Sequence, residues 1–226
     1  MEIIIQKNDF KIGQDNKMFT IFFNSYSEPL IRSITKTKIL LGATTTEKYN
    51  SITFKATKVQ TMYEYQKDIE REYGTPKMPY NSVLKMTYDL VNQLNYLINH
   101  SSMTFLGYSP ENVIIVDKNK YIYLSSEYLL TIQEDENIII TYPFSQNDFF
   151  ISPELLVIKD IPSLINYKVT YFSFGCLLLY GLLGNNDHFD NDNLLMNALS
   201  IKNTSLYWLL KRCLVKNPQN RCILFI

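Results

Sequence analysis

The stretch "YFSFGCLLLYGLL", Tyr171 to Leu183, constrains this chain more than any other. As a helix it is hydrophobic on every side, so it has to be surrounded by other elements rather than laid on a surface. It reaches only about two thirds of the roughly 20 residues that a membrane span needs. It is therefore expected as the buried central helix of a soluble, intracellular protein. A chain of 226 residues, 46% hydrophobic and 19% charged, can build the core to surround it.

A second helix is expected in "MPYNSVLKMTYDLVNQLNYLINH". There Val83, Leu90, Leu94 and Leu97, with Leu84, Val91 and Ile98 beside them, recur at three and four residues behind a Pro79 and Asn81 start signal. From Met1 to about Tyr65 the runs "EIII", "MFTIFF", "SITFKA" and "VQTMYEY" read as strands between polar turns, with one helix between Glu28 and Tyr49. Further on, "NVIIV" and "YIYLS" flank the turn "DKNK" as a hairpin. "YLLTI" and "NIIITY" flank the acidic tip "QEDEN" as a second one. Helices over about Tyr167 to Leu183, Asp192 to Ser200 and Ser205 to Leu214 complete the reading, with no internal repeat.

Charge and composition narrow the function. Lys+Arg and Asp+Glu are both 22, so no broad field draws the chain to nucleic acid or to an anionic membrane. The same balance leaves little self-repulsion against a protein partner. Cys176, Cys213 and Cys222 form no CxxC and read as reduced core thiols. His100 and His188, the two histidines, lie at no zinc-ligand spacing; His100 is expected to end its helix. No G-x-S-x-G elbow is present for a serine hydrolase. The start "MEIIIQKNDFK" has too short an apolar run for a signal peptide. With 17 Tyr against 7 Gly, the composition suggests an AT-rich genome, of a large DNA virus or a parasite.

Five motifs in order carry a resemblance. "FLGYSPEN", Phe105 to Asn112, falls on H-R-D-L-K-P-E-N, and "YIYLSSEYL" on the strand that ends in D-F-G. "SPE", Ser152 to Glu154, falls on A-P-E, "TYFSFGCLLLYGLL" on D-x-W-S-x-G with its buried helix, and "CLVKNPQNR" on the segment ending in D-P-x-x-R. From about Val59 to Arg221 the chain thus resembles the eukaryotic-type protein kinases, as a degenerate member. The resemblance implies a two-lobed α+β fold. Residues 1–66 would form a reduced, strand-rich N-terminal lobe and 67–226 a helical C-terminal lobe, cut short near Arg221.

Phosphoryl transfer is almost entirely positioning and charge neutralisation, and in this family carboxylates and lysines supply it. Here Gly107 falls at the catalytic base, Ser109 at the nearby Lys and Ser126 at the metal-binding Asp; Asn112 alone is retained. Glu127, one residue on, is sent to the opposite face of an extended segment. No G-x-G-x-x-G precedes Gly107, and Lys38 and Lys55 read as solvent-facing rather than phosphate-pairing. The architectural residues persist. Glu154 and Arg221 fall on the family's buried ion pair, Ser173 and Gly175 keep the central-helix pattern, and Thr170 replaces an Asp that bonds the catalytic loop.

The expected function is that of a pseudokinase, a non-enzymatic scaffold with no cofactor and no metal. It would act in the cytoplasm, or in a virion, on a protein partner: a kinase, a kinase substrate or a host factor. The loop "GNNDHFDNDN" and the helix after it, with His188, Phe189, Leu194 and Leu195, are the candidate partner surface. The acidic tip Glu134 to Glu136 is expected to be solvated. Two alternatives stand beside it: a divergent nucleotide-dependent phosphotransferase whose metal ligands have moved to Glu127, Asn112 or Asp117, and a structural subunit of a viral assembly.

Overall fold

The computed structural model describes residues 1–25, 28–46, 50–145, 147–184 and 194–224. Strands β1 (Glu2–Gln6), β2 (Phe10–Asp15) and β3 (Met18–Phe23) open the chain, followed by α1 (Glu28–Lys36), β4 (Thr44–Thr45) and β5 (Ser51–Lys55). The strands form one antiparallel sheet in the order β1-β2-β3-β5-β4. Side chains alternate across a strand, and here Phe10, Ile12, Phe19, Ile21, Ile52 and Phe54 share the buried face. Phe19 and Phe54, directly opposite in register, stack with ring centroids 6.0 Å apart. Helix α1 buries Leu30, Ile31 and Ile34 on one side.

Next come β6 (Val59–Thr61), α2 (Met62–Tyr73), α3 (Tyr80–Ser101), β7 (Met103–Phe105), β8 (Val113–Val116) and β9 (Lys120–Tyr123). "VQTMYEY", expected as strand throughout, is strand only to Thr61. The Thr61 hydroxyl accepts the Glu64 N–H at 3.2 Å, and the Glu64 carboxylate accepts the Thr61 N–H at 2.7 Å. This capping box starts a helix, and Gly74, at φ +73°, ends it. Helix α2 therefore runs unbroken across the expected lobe boundary at 66/67, while the five-stranded sheet stops at Lys55.

Strand β6 pairs not with that sheet but with β8, and β8 with β9. "DKNK" forms the expected hairpin turn, with Asp117 and Lys118 at φ +52° and +60°, the left-handed pair that matches strand twist. Asp117 Oδ1 accepts three bonds from the connection between the two sheets: the Thr57 N–H at 2.7 Å, the Thr57 hydroxyl at 2.6 Å and the Lys58 N–H at 3.1 Å. Helix α3 buries Val83, Met86, Leu90, Leu94 and Leu97, as its periodicity predicts. It also grips β9. Asp89 Oδ2 accepts the Tyr121 N–H at 3.0 Å, and the Gln93 amide makes two 2.9 Å bonds with the Tyr123 backbone.

The second expected hairpin forms only at its tip, where Ile132 bridges Ile138 and the Gln133 N–H donates to the Asn137 carbonyl at 2.7 Å. Beyond the tip strand β10 (Leu129–Thr131) pairs back with β7, and β11 (Asn137–Ile140) pairs forward with β12 (Ser163–Asn166). Alternation marks a segment as strand without saying which neighbour it meets. The tip between them, Glu134 to Glu136, is exposed as expected. Helices α4 (Pro153–Leu156), α5 (Val169–Leu183) and α6 (Ser205–Cys213) follow, with a 3-10 stretch at Leu194–Ile201 before α6. Every residue of α5 from Val169 to Leu179 is buried. The chain is thus a mixed α+β protein, strand-rich at its N-terminal end and helical towards its C-terminal end. No helix among the described residues is long and apolar enough to cross a membrane.

Candidate functional site

The segment from Leu106 to Asn112 links β7 to β8 and is held from three sides. The Tyr108 N–H donates to Ser173 Oγ on α5 at 2.7 Å. The Tyr123 hydroxyl, from β9, donates to the Gly107 carbonyl at 3.0 Å and accepts the Ser109 N–H at 3.1 Å. Burial pushes the Tyr123 hydroxyl well above the usual tyrosine range, so it stays protonated and able to donate. The Tyr108 ring packs between Tyr123 and Phe174, at 4.5 and 5.4 Å between centroids. Ser109 Oγ caps the turn Pro110–Asn112 by accepting the Glu111 N–H at 3.3 Å.

Gly107 is walled in. A Cβ built on it would lie 2.6 Å from Cγ and 2.9 Å from Cε2 of Phe149, and nearer still to Cδ2. Phe149 is 5% exposed and belongs to a satellite core with Leu106, Ile138, Ile140, Leu155 and Val169. No side chain fits at 107 while that ring stays in place.

An open cleft of about 590 Å³ lies beside this segment, lined in part by Lys7, Asp9, Glu111, Asn112, Glu127 and Asp148. The tip of the β1–β2 hairpin reaches across it. Lys7 Nζ pairs with Glu111 Oε2 at 2.7 Å, and Asp9 Oδ2 accepts the Ser126 N–H at 2.8 Å. On the far wall the Tyr128 hydroxyl donates to Asp148 Oδ2, which also accepts the Ser145 N–H at 2.8 Å. Burial first, then the Asp148 carboxylate, raise the Tyr128 hydroxyl far above its ordinary value. Four carboxylates and one ammonium thus face the cleft. Among the described residues, no three His, Cys, Asp or Glu side chains form a group that could hold a metal ion.

The expected site residues sort as follows. Ser109 and Asn112 line the cleft, Gly107 lies in the same loop, and Ser126 meets the cleft residue Asp9 through its N–H; Glu127, expected on the opposite face, lines the cleft while Ser126 does not. Lys38 and Lys55 are exposed and lie outside its lining; Lys7 is the lysine at the cleft. Lys7 and Asp9 escaped the sequence reading because they sit more than a hundred residues from Glu111 and Ser126. Their one local signal is the polar tip "KND" between two strands. Phe149 had no signal at all.

Glu154 and Arg221 do pair. Arg221 is 1% exposed; its NH2 lies 2.8 Å from Glu154 Oε2, its NH1 contacts Oε1, and its remaining donors reach the carbonyls of Val215, Lys216 and Lys168. Thr170 does not hold the loop backbone, which Ser173 does instead. The Thr170 and Tyr108 hydroxyls are buried neighbours, yet neither finds a partner in hydrogen-bond geometry among the described residues.

His188 and Phe189 lie outside the described residues. Leu194 is 4% exposed and anchors the 3-10 stretch in the core instead of offering a surface; Leu195 is half-buried against that core, and Met196 and Leu199 are exposed. Asp117, the other expected relocated metal ligand, lies outside the cleft lining, and its Oδ1 accepts bonds from Thr57 and Lys58. No protein-family model matches the chain, and no curated protein matches it.

Proposed function

We propose that the chain is a protein-kinase-like fold that has lost phosphotransfer and works as a protein-binding scaffold. The order of parts supports this reading. A five-stranded sheet with one helix leads through β6 and two helices to the Leu106–Asn112 loop, a hairpin, the "SPE" helix, the buried helix α5 and Arg221. The ion pair of Glu154 with Arg221 ties the last of these to α4.

The observation that carries the loss of activity is the Phe149 ring over Gly107. The position that resembles the family's catalytic base lacks a carboxylate, and core packing fills the space one would need. At the second degenerate position, the Ser126 N–H is occupied by Asp9, and the β1–β2 tip, which carries no G-x-G-x-x-G, is tied by Lys7 to Glu111. Protein partners of the kind the resemblance suggests, a kinase, a kinase substrate or a host factor, would use surfaces outside this cleft.

The test is thermal unfolding with and without ATP and magnesium. A ligand at a hundred times its dissociation constant adds about 2.7 kcal/mol, or roughly 5 to 10 °C in Tm for a chain of this size. No shift is expected. A magnesium-dependent shift of that size would instead favour an enzyme that binds nucleotide through Glu127 and Asn112.

A further inference from the structure

We propose that Cys222 and Cys213 form a reversible, peroxide-driven disulfide that fastens the C-terminal tail to α6. The inference is independent of how the cleft is read. The chain's three cysteines come from α5, α6 and the tail, and the fold gathers them. Cys176 and Cys213 are buried, whereas Cys222, read from the sequence as a core thiol, is exposed. The Cys213 thiol donates to the Cys222 carbonyl at 3.9 Å. Burial first, then the neighbouring Cys222 sulfur, raise the Cys213 thiol far above its ordinary value. Burial and the Cys213 sulfur do the same to Cys176.

The tail is already laid beside α6. Arg221 turns its Nε to the Val215 carbonyl at 2.7 Å and its NH2 to the Lys216 carbonyl at 2.9 Å, inside the loop that the two cysteines bound. Beyond Cys222, Ile223 packs against the main core and the Arg212 guanidinium reaches the Leu224 carbonyl at 3.0 Å. A covalent tie between 213 and 222 therefore closes a loop whose ends native contacts have already brought together. That loop carries Arg221, and with it the ion pair to Glu154.

The two sulfurs differ in the way such a reaction needs. An exposed thiol meets an oxidant in solution and a buried one does not, so Cys222 reacts first. Its thiolate attacks one oxygen of hydrogen peroxide, an S–O bond forms as the O–O bond breaks, and the hydroxide released takes up the thiol proton as water. The sulfenic acid then turns inward and the Cys213 sulfur attacks it, forming an S–S bond as the S–O bond breaks. The departing hydroxide takes the Cys213 proton as a second water. Two thiols thus lose two electrons, and the peroxide gains them. A dithiol reductant reverses the step.

The test is exposure of the full chain to hydrogen peroxide, blocking of the remaining thiols with N-ethylmaleimide, and tryptic digestion without reduction. Cleavage after Arg212, Lys216 and Arg221 places Cys213 and Cys222 on separate peptides, 213–216 and 222–226, and Cys176 on a third. Mass spectrometry should find the first two joined, two hydrogens lighter than their sum. Closing a loop of this length should raise Tm by roughly 5 to 10 °C, a rise that dithiothreitol removes. Cys222→Ser, a change at an exposed position that should leave the Tm of the reduced protein unmoved, should show neither the joined peptides nor the rise. Two results overturn the proposal. One is the absence of the joined pair, with Cys222 recovered as sulfinic or sulfonic acid, bonded to a second molecule, or carrying the label. The other is a joined pair that leaves Tm where it was.

Discussion

Replacing Gly107 by Ala adds one methyl group and tests the packing on which the proposed loss of catalysis rests. Gly107 does not occupy the left-handed region, so no backbone strain accompanies the change and contact alone sets the effect. The new Cβ would lie 2.6 Å from Phe149 Cγ, more than half an ångström inside ordinary carbon contact. The Tyr123 hydroxyl fixes the loop on one side and the satellite core holds Phe149 on the other. Overpacking a site of this kind costs about 1 to 3 kcal/mol, or roughly 2 to 12 °C in Tm for a domain of this length. Phe149→Ala alone should cost about 3 to 5 kcal/mol. With Ala already at 107, part of the phenyl volume is contested, so the double variant should be more stable than the sum of the two losses by about 1 kcal/mol or more. Urea denaturation of the four proteins reads this directly. An unchanged midpoint for Gly107→Ala, together with additive single effects, would refute the claim that Phe149 fills the place of a side chain.

Arg221→Lys keeps the charge but loses the planar fork that reaches Glu154 and three carbonyls; a loss of at least about 2 kcal/mol is expected by urea denaturation, and an unchanged midpoint would argue against it. Asp9→Ala removes the acceptor of the Ser126 N–H, so hydrogen exchange at that amide should speed up by about tenfold or more, with protection of α5 unaltered. Burial, outweighing the Lys85 hydrogen bond, holds the Asp89 carboxyl above its ordinary 3.8, so the folded state binds this proton more tightly than the unfolded state does. That contribution is complete below 3.8 and is lost as pH rises through the folded value. Wild type should therefore gain on Asp89→Asn as pH falls from neutrality, and a difference independent of pH would contradict this.

The elements that could be read in the sequence are those whose partners lie nearby in the chain. Helix α3 shows its face in the spacing of Val83, Leu90, Leu94 and Leu97, α5 is apolar throughout, and Asp117 and Lys118 close the predicted hairpin. Misreadings arose where distant pairing decides. The arms on either side of Glu134 to Glu136 meet as a hairpin only at the tip, and their ladders run instead to β7 and β12. Leu194 stands beside a polar run and still turns inward. At the cleft, the degenerate positions were legible one by one, whereas Phe149 and Asp9 act on Gly107 and Ser126 through contacts that no local pattern encodes.

The three donors gathered on Asp117 Oδ1 have a mechanical consequence. They fasten Thr57 and Lys58, where the chain leaves the sheet of β1 to β5, to the hairpin of β8 and β9. Four residues later the Thr61 cap starts α2 without slack. This passage works as a welded joint more than as a pivot, so a pull on the strand-rich end is conveyed to the helices as a displacement instead of being absorbed.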